Sequence, residues 1–136
     1  MGVYFKDIIG QKGVVGQLKR SVDENRLAHA LLFTGPRGNG KLAIAVALAN
    51  YLLCNNRSGD VCGNCPACTK LDKFIHSDLH FVYPVKKKKG SSSDTAPVSD
   101  DYITEWRELL SKSAYFSYDD WLQKLDVENQ QPMIYE

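Results

Sequence analysis

The sequence predicts an α/β fold in which a parallel sheet with flanking helices carries a small four-cysteine module and a helical insertion. Three observations indicate this fold. A glycine-rich loop lies between a short apolar run and a long, alanine-rich apolar stretch, which is the order strand, loop, helix. Four cysteines follow within fifteen residues. The last third of the chain is acidic and has apolar residues at helical spacing.

The composition of the chain is typical of a globular domain. It has 136 residues, of which 43% are hydrophobic and 24% charged, and its formal net charge of +1 excludes a polybasic nucleic-acid coat. Two Trp, seven Tyr and five Phe favour a packed core over a disordered tail. No apolar run reaches the roughly 18 residues that span a bilayer, and Lys6, Asp7 and Lys12 argue against a secretory signal. We therefore expect a cytoplasmic protein without a membrane segment.

The charges are distributed unevenly and divide the chain into three parts. Residues 1–85 contain ten basic and six acidic side chains, whereas residues 90–136 contain three basic and ten acidic ones. Residues 86–98 begin with four lysines followed by glycine and serines, which predicts a flexible linker, with contact to a phosphate backbone as the alternative. The predicted division is a first part at residues 1–85, this linker, and an acidic helical insertion at residues 99–136.

The first part combines helix and strand patterns. Val14, Leu18 and Val22 recur at helical spacing, which predicts a helix. The apolar run at residues 30–34 predicts a short buried strand, and residues 42–54 predict a buried helix.

The loop between this strand and this helix has the spacing of a phosphate cradle, G-x-x-x-x-G-K. Glycines let backbone N–H groups point inward, the helix N-terminus favours an anion, and Lys41 is placed to reach the outer phosphates. Leu42 stands where Ser or Thr usually binds Mg²⁺, which argues against hydrolysis. ATP or ADP binding is therefore left open, the alternative being a loop that keeps its shape without a ligand. The candidate nucleotide-binding residues are Gly35, Pro36, Arg37, Gly38, Asn39, Gly40, Lys41 and Leu42.

The four cysteines have the spacing of a structural zinc site. Cys54, Cys62, Cys65 and Cys68 form the pattern C-x7-C-x2-C-x2-C, with turn-forming residues between them. Four thiolates suit a tetrahedral Zn²⁺ ion and leave no open position for catalysis. Structural disulfides are not expected in a cytoplasmic chain. The alternative to zinc is therefore a set of reduced thiols or a redox pair.

The acidic part predicts two helices. Ser99 is predicted to cap the first, and an apolar stripe follows that includes Trp106. The second is predicted around Trp121, where Ser117 and Asp120 form a capping box. The stripe is interpreted as packing, with docking of exposed tryptophans on a neighbouring subunit as the alternative.

In chain order, these motifs resemble the N-terminal AAA+ module of bacterial clamp-loader subunits, the gamma/tau and delta-prime subunits of DNA polymerase III. The resemblance covers residues 5–84 and depends chiefly on the loop helix that ends in the cysteine cluster. In that family a four-cysteine zinc module follows this helix. Residues 8–11 resemble the family segment beside the adenine base, with plain packing of Ile8 and Ile9 as the alternative.

Leu42 implies the delta-prime type, because gamma/tau subunits keep Thr at this position and hydrolyse ATP. The family's Walker B acids, sensor residues and arginine finger are not found. The pair Asp119 and Asp120 is rejected as Walker B because it belongs to the capping box. We therefore expect an incomplete P-loop AAA+ module, the N-terminal fragment of a longer protein, with no catalytic residues of its own.

The resemblance implies a role in DNA replication, in which the protein helps load the sliding clamp onto primed DNA. The implied partners are the gamma/tau and delta subunits, the clamp and, through the complex, primed DNA. The alternatives are an ATPase subunit of the gamma/tau type and, less favoured, another P-loop ATPase or kinase. A stand-alone zinc module for DNA is disfavoured because Arg57 is the only basic residue between Cys54 and Cys68.

Overall fold

A computed structural model of the chain describes residues 2–87, 96–127 and 131–135. The contacts divide the chain into two compact units, residues 1–79 and 80–136. The described residues contain no helix that is both long and apolar enough to cross a membrane. Their α-helices are α1 (Lys12–Asp23), α2 (Lys41–Leu53), α3 (Pro66–Leu71), α4 (Ile103–Lys112) and α5 (Tyr118–Lys124), and their 3-10 helices are Phe5–Asp7 and Ser99–Tyr102.

The first unit is built around α1 and α2. Because α2 is apolar on nearly every face, it is buried on nearly every face. Asn50, in the last turn of this helix, donates from Nδ2 to the carbonyl oxygen of Val3 at 2.7 Å and so ties residues 2–7, the N-terminal strip, to α2. Both helices predicted for this part are confirmed. The main core consists of Phe5, Leu18, Val22, Ile44, Ala47, Leu48 and Tyr51.

The predicted buried strand at residues 30–34 is not formed. The segment has no regular structure, and Leu31 and Leu32 are 44% and 87% exposed. In the described residues, strand pairing is limited to an isolated antiparallel bridge between Val85 and Met133, so a parallel sheet is not shown. A strand is stable only when neighbouring strands pair with its N–H and C=O groups. The described part of the chain offers this segment no such neighbour.

The second unit surrounds a cluster of aromatic rings. Tyr83 stacks on Trp106 with ring centroids 4.1 Å apart, and Trp121 meets these two rings edge-on at 5.0 and 5.1 Å. Phe116 adds another edge-on contact to Trp106 at 5.1 Å. Trp106 and Trp121 are only 8% and 1% exposed. The alternative that exposed tryptophans dock on a neighbour is therefore wrong, and the apolar stripe packs into the core of this unit.

Two serines were predicted to cap the helices of the second unit, and one does. Ser117 Oγ accepts from the Asp120 N–H at 3.2 Å, and the Asp120 carboxylate accepts from the Ser117 N–H at 2.6 Å, which confirms the capping box. Ser99 is not a cap. Its buried hydroxyl instead accepts from the N–H of Tyr83 at 3.1 Å and donates to the carbonyl oxygen of Tyr83 at 3.2 Å. The Ser99 hydroxyl therefore bonds to the backbone of a residue 16 positions away and not to the start of its own helix.

The boundary between the two units differs from the division drawn from charge. The contacts assign residues 80–85 to the second unit, because Tyr83 and Val85 are buried in it. The sequence-based division assigned them to the first part. The linker predicted at residues 86–98 stays a prediction, since residues 88–95 lie outside the described residues.

Candidate metal centre and glycine-rich loop

The four cysteines come together in the first unit from three different elements. Cys54 follows the last residue of α2, Cys62 lies in the loop that comes next, and Cys65 and Cys68 begin α3. All four Sγ atoms lie within 4.8 Å of one another. The sequence therefore predicted correctly that these residues form one cluster.

The sulfur–sulfur distances fit a tetrahedral ion. The closest pairs are Cys65 and Cys68 at 3.4 Å, Cys54 and Cys62 at 3.5 Å, and Cys54 and Cys68 at 3.6 Å. With zinc–sulfur bonds of about 2.3 Å, the edge of a ZnS₄ tetrahedron is about 3.8 Å. A disulfide would need about 2.05 Å, and all four cysteines are free. Four clustered thiols with this spacing are the donor set that zinc prefers.

Local backbone features explain why the chain turns at the cluster. Gly59 and Gly63 adopt φ values of 71° and 73°, in the left-handed region that favours glycine. Pro66 occupies the first turn of α3, where its missing N–H costs no helical hydrogen bond. The thiol of Cys65 accepts from the N–H of Cys68 at 3.4 Å, and the thiol of Cys54 accepts from the N–H of Cys62 at 3.4 Å. Such N–H groups stabilise negative charge on sulfur.

The thiols differ in their readiness to ionise. Hydrogen bonds from the backbone of Cys68 and of Asn55 lower the pKa of Cys65 to about 6. A backbone hydrogen bond from Asn64 also lowers the pKa of Cys62. Burial, together with its neighbouring thiols, raises the pKa of Cys68 to about 12. A divalent cation would supply the positive charge that the most buried thiolate needs.

The surroundings of the cluster are apolar, which suits a structural site. Cys54, Cys65, Ala67, Cys68 and Leu71 form a second buried core. This core limits the access of water to the sulfurs, and four protein ligands leave no position for a reacting water.

The glycine-rich loop lies at the other end of α2. Gly38 and Gly40 have φ values of 79° and 81°, and α2 begins directly after Gly40, at Lys41. A Cβ atom on Gly35 would lie 2.2 Å from Nδ2 of Asn39, so only glycine fits there without a shift of Asn39. The loop therefore depends on its glycines for its shape, as the pattern predicts.

Lys41 is folded back onto its own loop. Its Nζ donates to the carbonyl oxygens of Gly35 at 2.8 Å and Pro36 at 2.7 Å, and to Oδ1 of Asn39 at 3.2 Å. An anion entering the loop would compete with these neutral acceptors for the Lys41 amine. Leu42 brings no hydroxyl to the loop, so magnesium has no side-chain ligand at that position.

Besides the cysteine cluster and the glycine-rich loop, the first unit contains a group of polar residues that sequence reasoning missed. This group links the N-terminal strip to the cysteine module. Tyr4 donates to the Asp72 carboxylate at 2.5 Å, and the Lys6 N–H donates to the Asp60 carboxylate at 2.9 Å. Burial and the Asp72 carboxylate together raise the pKa of the Tyr4 hydroxyl, which therefore stays a donor. The partners lie 68 and 54 residues apart in sequence, and no local pattern signals such a pairing.

Comparison with known families identifies the group to which this arrangement belongs. A family model described as "DNA polymerase III, delta subunit" matches residues 10–121, which is most of the chain. The chain belongs to this DNA polymerase III family. The resemblance to its clamp-loader subunits is thereby confirmed. The match includes the glycine-rich loop, the cysteine cluster and α4, so the second unit lies within the matched region as far as residue 121.

The curated relatives are subunits of DNA polymerase III of both types. The chain is 38% identical over 74 residues to subunit delta' of Bacillus subtilis, a match that covers 54% of this chain and 22% of the relative. It is 34% identical over 115 residues to subunit gamma of Buchnera aphidicola, covering 84% of this chain and 28% of the relative. It is 37% identical over 112 residues to subunit tau/gamma of Haemophilus influenzae, covering 82% and 14%.

The chain thus spans less than a third of the length of these relatives. Because both delta' and gamma/tau subunits match, the comparisons support the family and leave the type of subunit undetermined. No solved structure matches the chain significantly.

Proposed function

We propose that the chain acts in DNA replication as part of a delta-prime-type clamp-loader subunit, which helps load the sliding clamp onto primed DNA. Family membership supports the general role. The observation that carries the choice of type is Leu42, which removes the magnesium-binding hydroxyl from an otherwise intact loop. The proposed partners are the gamma/tau and delta subunits and the clamp, with primed DNA bound through the complex in the cytoplasm.

The proposed fold of this region is an AAA+ P-loop module with a parallel sheet. The apolar segment at residues 30–34 would be one of its strands. Its support is the exposure of Leu31 and Leu32. Covering exposed apolar side chains with neighbouring strands and helices lowers the free energy of the folded protein. The glycine-rich loop and α2 would follow this strand, as in other phosphate cradles.

The proposed metal is one structural Zn²⁺ ion held by Cys54, Cys62, Cys65 and Cys68. Bound there, zinc would supply a cross-link between the end of α2 and the start of α3. Protein purified without chelators should contain about one zinc per chain by elemental analysis. A chain that carries no zinc, and takes up none when it is supplied, would rule out this assignment.

The proposed role of the glycine-rich loop is to hold ATP or ADP without efficient hydrolysis. Binding of a fluorescent ATP analogue should be lost in Lys41→Ala and should depend little on Mg²⁺ in the natural chain. Leu42→Thr should introduce a dependence on Mg²⁺, whereas Leu52→Thr, a matched exchange elsewhere on α2, should not.

A second candidate is an ATPase subunit of the gamma/tau type, which the complete set of loop glycines and Lys41 favours. The two types differ in turnover. Steady release of phosphate by the natural chain, lost in Lys41→Ala, would establish the ATPase and overturn the delta-prime assignment. Co-elution with purified gamma/tau and delta subunits in size-exclusion chromatography tests the partners common to both types.

A further inference from the structure

The loop that carries the metal ligands has no helix or strand of its own between α2 and α3. Within it, the N–H of Ser58 donates to the carbonyl oxygen of Asp60 at 3.1 Å, a single turn bond. A loop of this kind keeps one conformation only when its ends or its ligands are held together. The ligands are held by their common contact, so the conformation of the loop depends on the cluster.

Asp60 joins this loop to the N-terminal strip. One of its carboxylate oxygens accepts from the N–H of Val61 at 2.8 Å, next to the ligand Cys62, and the other accepts from the N–H of Lys6 at 2.9 Å. The amine of Lys19, on α1, lies 4.0 Å from the same carboxylate and donates to the carbonyl oxygen of Gly59 at 2.5 Å. The position of Asp60 is therefore set by the metal loop on one side and by the strip on the other.

Asp72 makes a second connection between the cysteine module and the strip. It follows α3 directly, and its N–H donates to the carbonyl oxygen of the ligand Cys68 at 2.9 Å. Its carboxylate accepts from the hydroxyl of Tyr4 at 2.5 Å. A Cβ atom on Gly2 would lie 2.2 Å from the Asp72 carboxylate, so the strip approaches this carboxylate with its bare backbone.

We propose that metal binding by the four cysteines orders the N-terminal strip through Asp60 and Asp72, so that the metal site and the strip are thermodynamically coupled. This inference rests on the proposed zinc site. The strip continues directly into residues 8–11, the segment that resembles the family's adenine-side segment. When the strip is ordered, the position of the start of that segment is therefore fixed. Tyr4, Asp60 and Asp72 are positioning residues in this arrangement, since none of them touches the metal. Coupling of this kind is reciprocal, so loosening the strip must also weaken metal binding.

Hydrogen exchange of the full chain, with Zn²⁺ and after chelation, tests the first half of the coupling. Peptides that cover residues 2–8 should exchange about tenfold faster once zinc is removed, because the bond from Lys6 to Asp60 is then lost. Amides of α4, in the other unit, and those at residues 43–48 of α2 should keep their protection. Equal loss of protection in α2 would overturn the proposal, because it would mean that zinc supports the whole unit and does not act on the strip locally.

Zinc affinity of variants, measured by competition with a chromophoric chelator, tests the second half. Tyr4→Phe and Asp60→Ala should each weaken Zn²⁺ binding about three- to tenfold, which is less than the loss expected for groups bonded to a ligand side chain. The matched controls are Tyr118→Phe and Asp78→Ala, both at exposed positions. The effects of Tyr4→Phe and Asp72→Ala should not add, because both remove the same bond.

The outcomes separate this proposal from the zinc assignment beneath it. A chain that binds about one zinc, but whose strip exchanges at the same rate with and without it, would overturn the coupling and leave the metal site in place. A chain that binds no zinc would overturn both. Unchanged zinc affinity in Tyr4→Phe and in Asp60→Ala would overturn the coupling even if the exchange of the strip responded to chelation.

Discussion

The buried side chains beside the thiol cluster of residues 1–79 are aliphatic, Ala67 and Leu71, whereas residues 80–136 bury two tryptophans against a tyrosine. The first unit brings its ligands together from the end of α2, an irregular loop and the start of α3, so it depends on a cross-link. The second unit gains its stability from aromatic area removed from water. Because Trp106 and Trp121 are the chain's two tryptophans, tryptophan fluorescence reports on the second unit alone.

Removal of the metal should produce the largest difference between the units. Chelation, or Cys68→Ser at a fully buried ligand, should destabilise the cysteine module at residues 54–71 by at least about 4 kcal/mol, since zinc binding contributes directly to folding. Hydrogen exchange at residues 54–71 should become faster, while exchange at residues 43–48 of α2 and tryptophan fluorescence should stay unchanged. Thr69→Ala, beside this ligand and outside the thiol set, is the control. A simultaneous change in tryptophan fluorescence would show that the units do not depend on different interactions.

Acid should separate the units in the same order. Protons compete with zinc for thiolates, so zinc should leave as the pH falls. In the second unit, hydrogen bonds from Ser117 lower the pKa of Asp120, and Lys124 lowers the pKa of Glu108. A lowered carboxyl pKa contributes stability that is present above the ordinary value, about 4, and is lost as the pH falls through the lowered one. A zinc indicator should therefore respond at a higher pH than tryptophan fluorescence, and the reverse order would contradict the comparison.

Truncation of Trp121 should affect the second unit as strongly as a large core deletion. Its ring is 1% exposed, and its Nε1 donates to the carbonyl oxygen of Pro84 at 2.8 Å. Trp121→Ala should lower the free energy of unfolding of this unit by about 3–5 kcal/mol, measured by denaturant titration of the remaining fluorescence of Trp106. The zinc content should stay at about one per chain. Trp121→Phe should cost less because it keeps most of the ring contacts.

The parts of the fold that sequence reasoning predicted are those set by neighbours in sequence. Helix α1 follows from periodicity and α2 from its long, alanine-rich apolar run, and the four thiols meet because their spacing permits few other arrangements. The strand at residues 30–34 was predicted from its apolar run, yet a strand also needs partners from elsewhere in the chain. The bond from Tyr4 to Asp72 could not be predicted, because a single tyrosine and a single aspartate 68 residues apart carry no pattern.

Ser99 offers a smaller test within the second unit. Its hydroxyl is the partner of both the N–H and the carbonyl oxygen of buried Tyr83. Ser99→Ala should cost about 1–3 kcal/mol, because the N–H of Tyr83 would be left buried without an acceptor. The measurement is the shift in denaturant midpoint by tryptophan fluorescence. A cost below that of removing a surface cap would mean that water replaces the hydroxyl.

Ser117→Ala should have the smallest effect, about 1 kcal/mol, because it removes one N-cap bond at an exposed helix start. The sequence suggested the same capping role for both serines, so the two alanine variants directly compare a local bond with a long-range one. Ser117→Thr keeps a hydroxyl at the exposed cap and should recover most of the loss, whereas Ser99→Thr would add a methyl group at a buried position and should not recover it fully. If the threonine variants behaved alike, the two serines would share one environment and the distinction between them would fail.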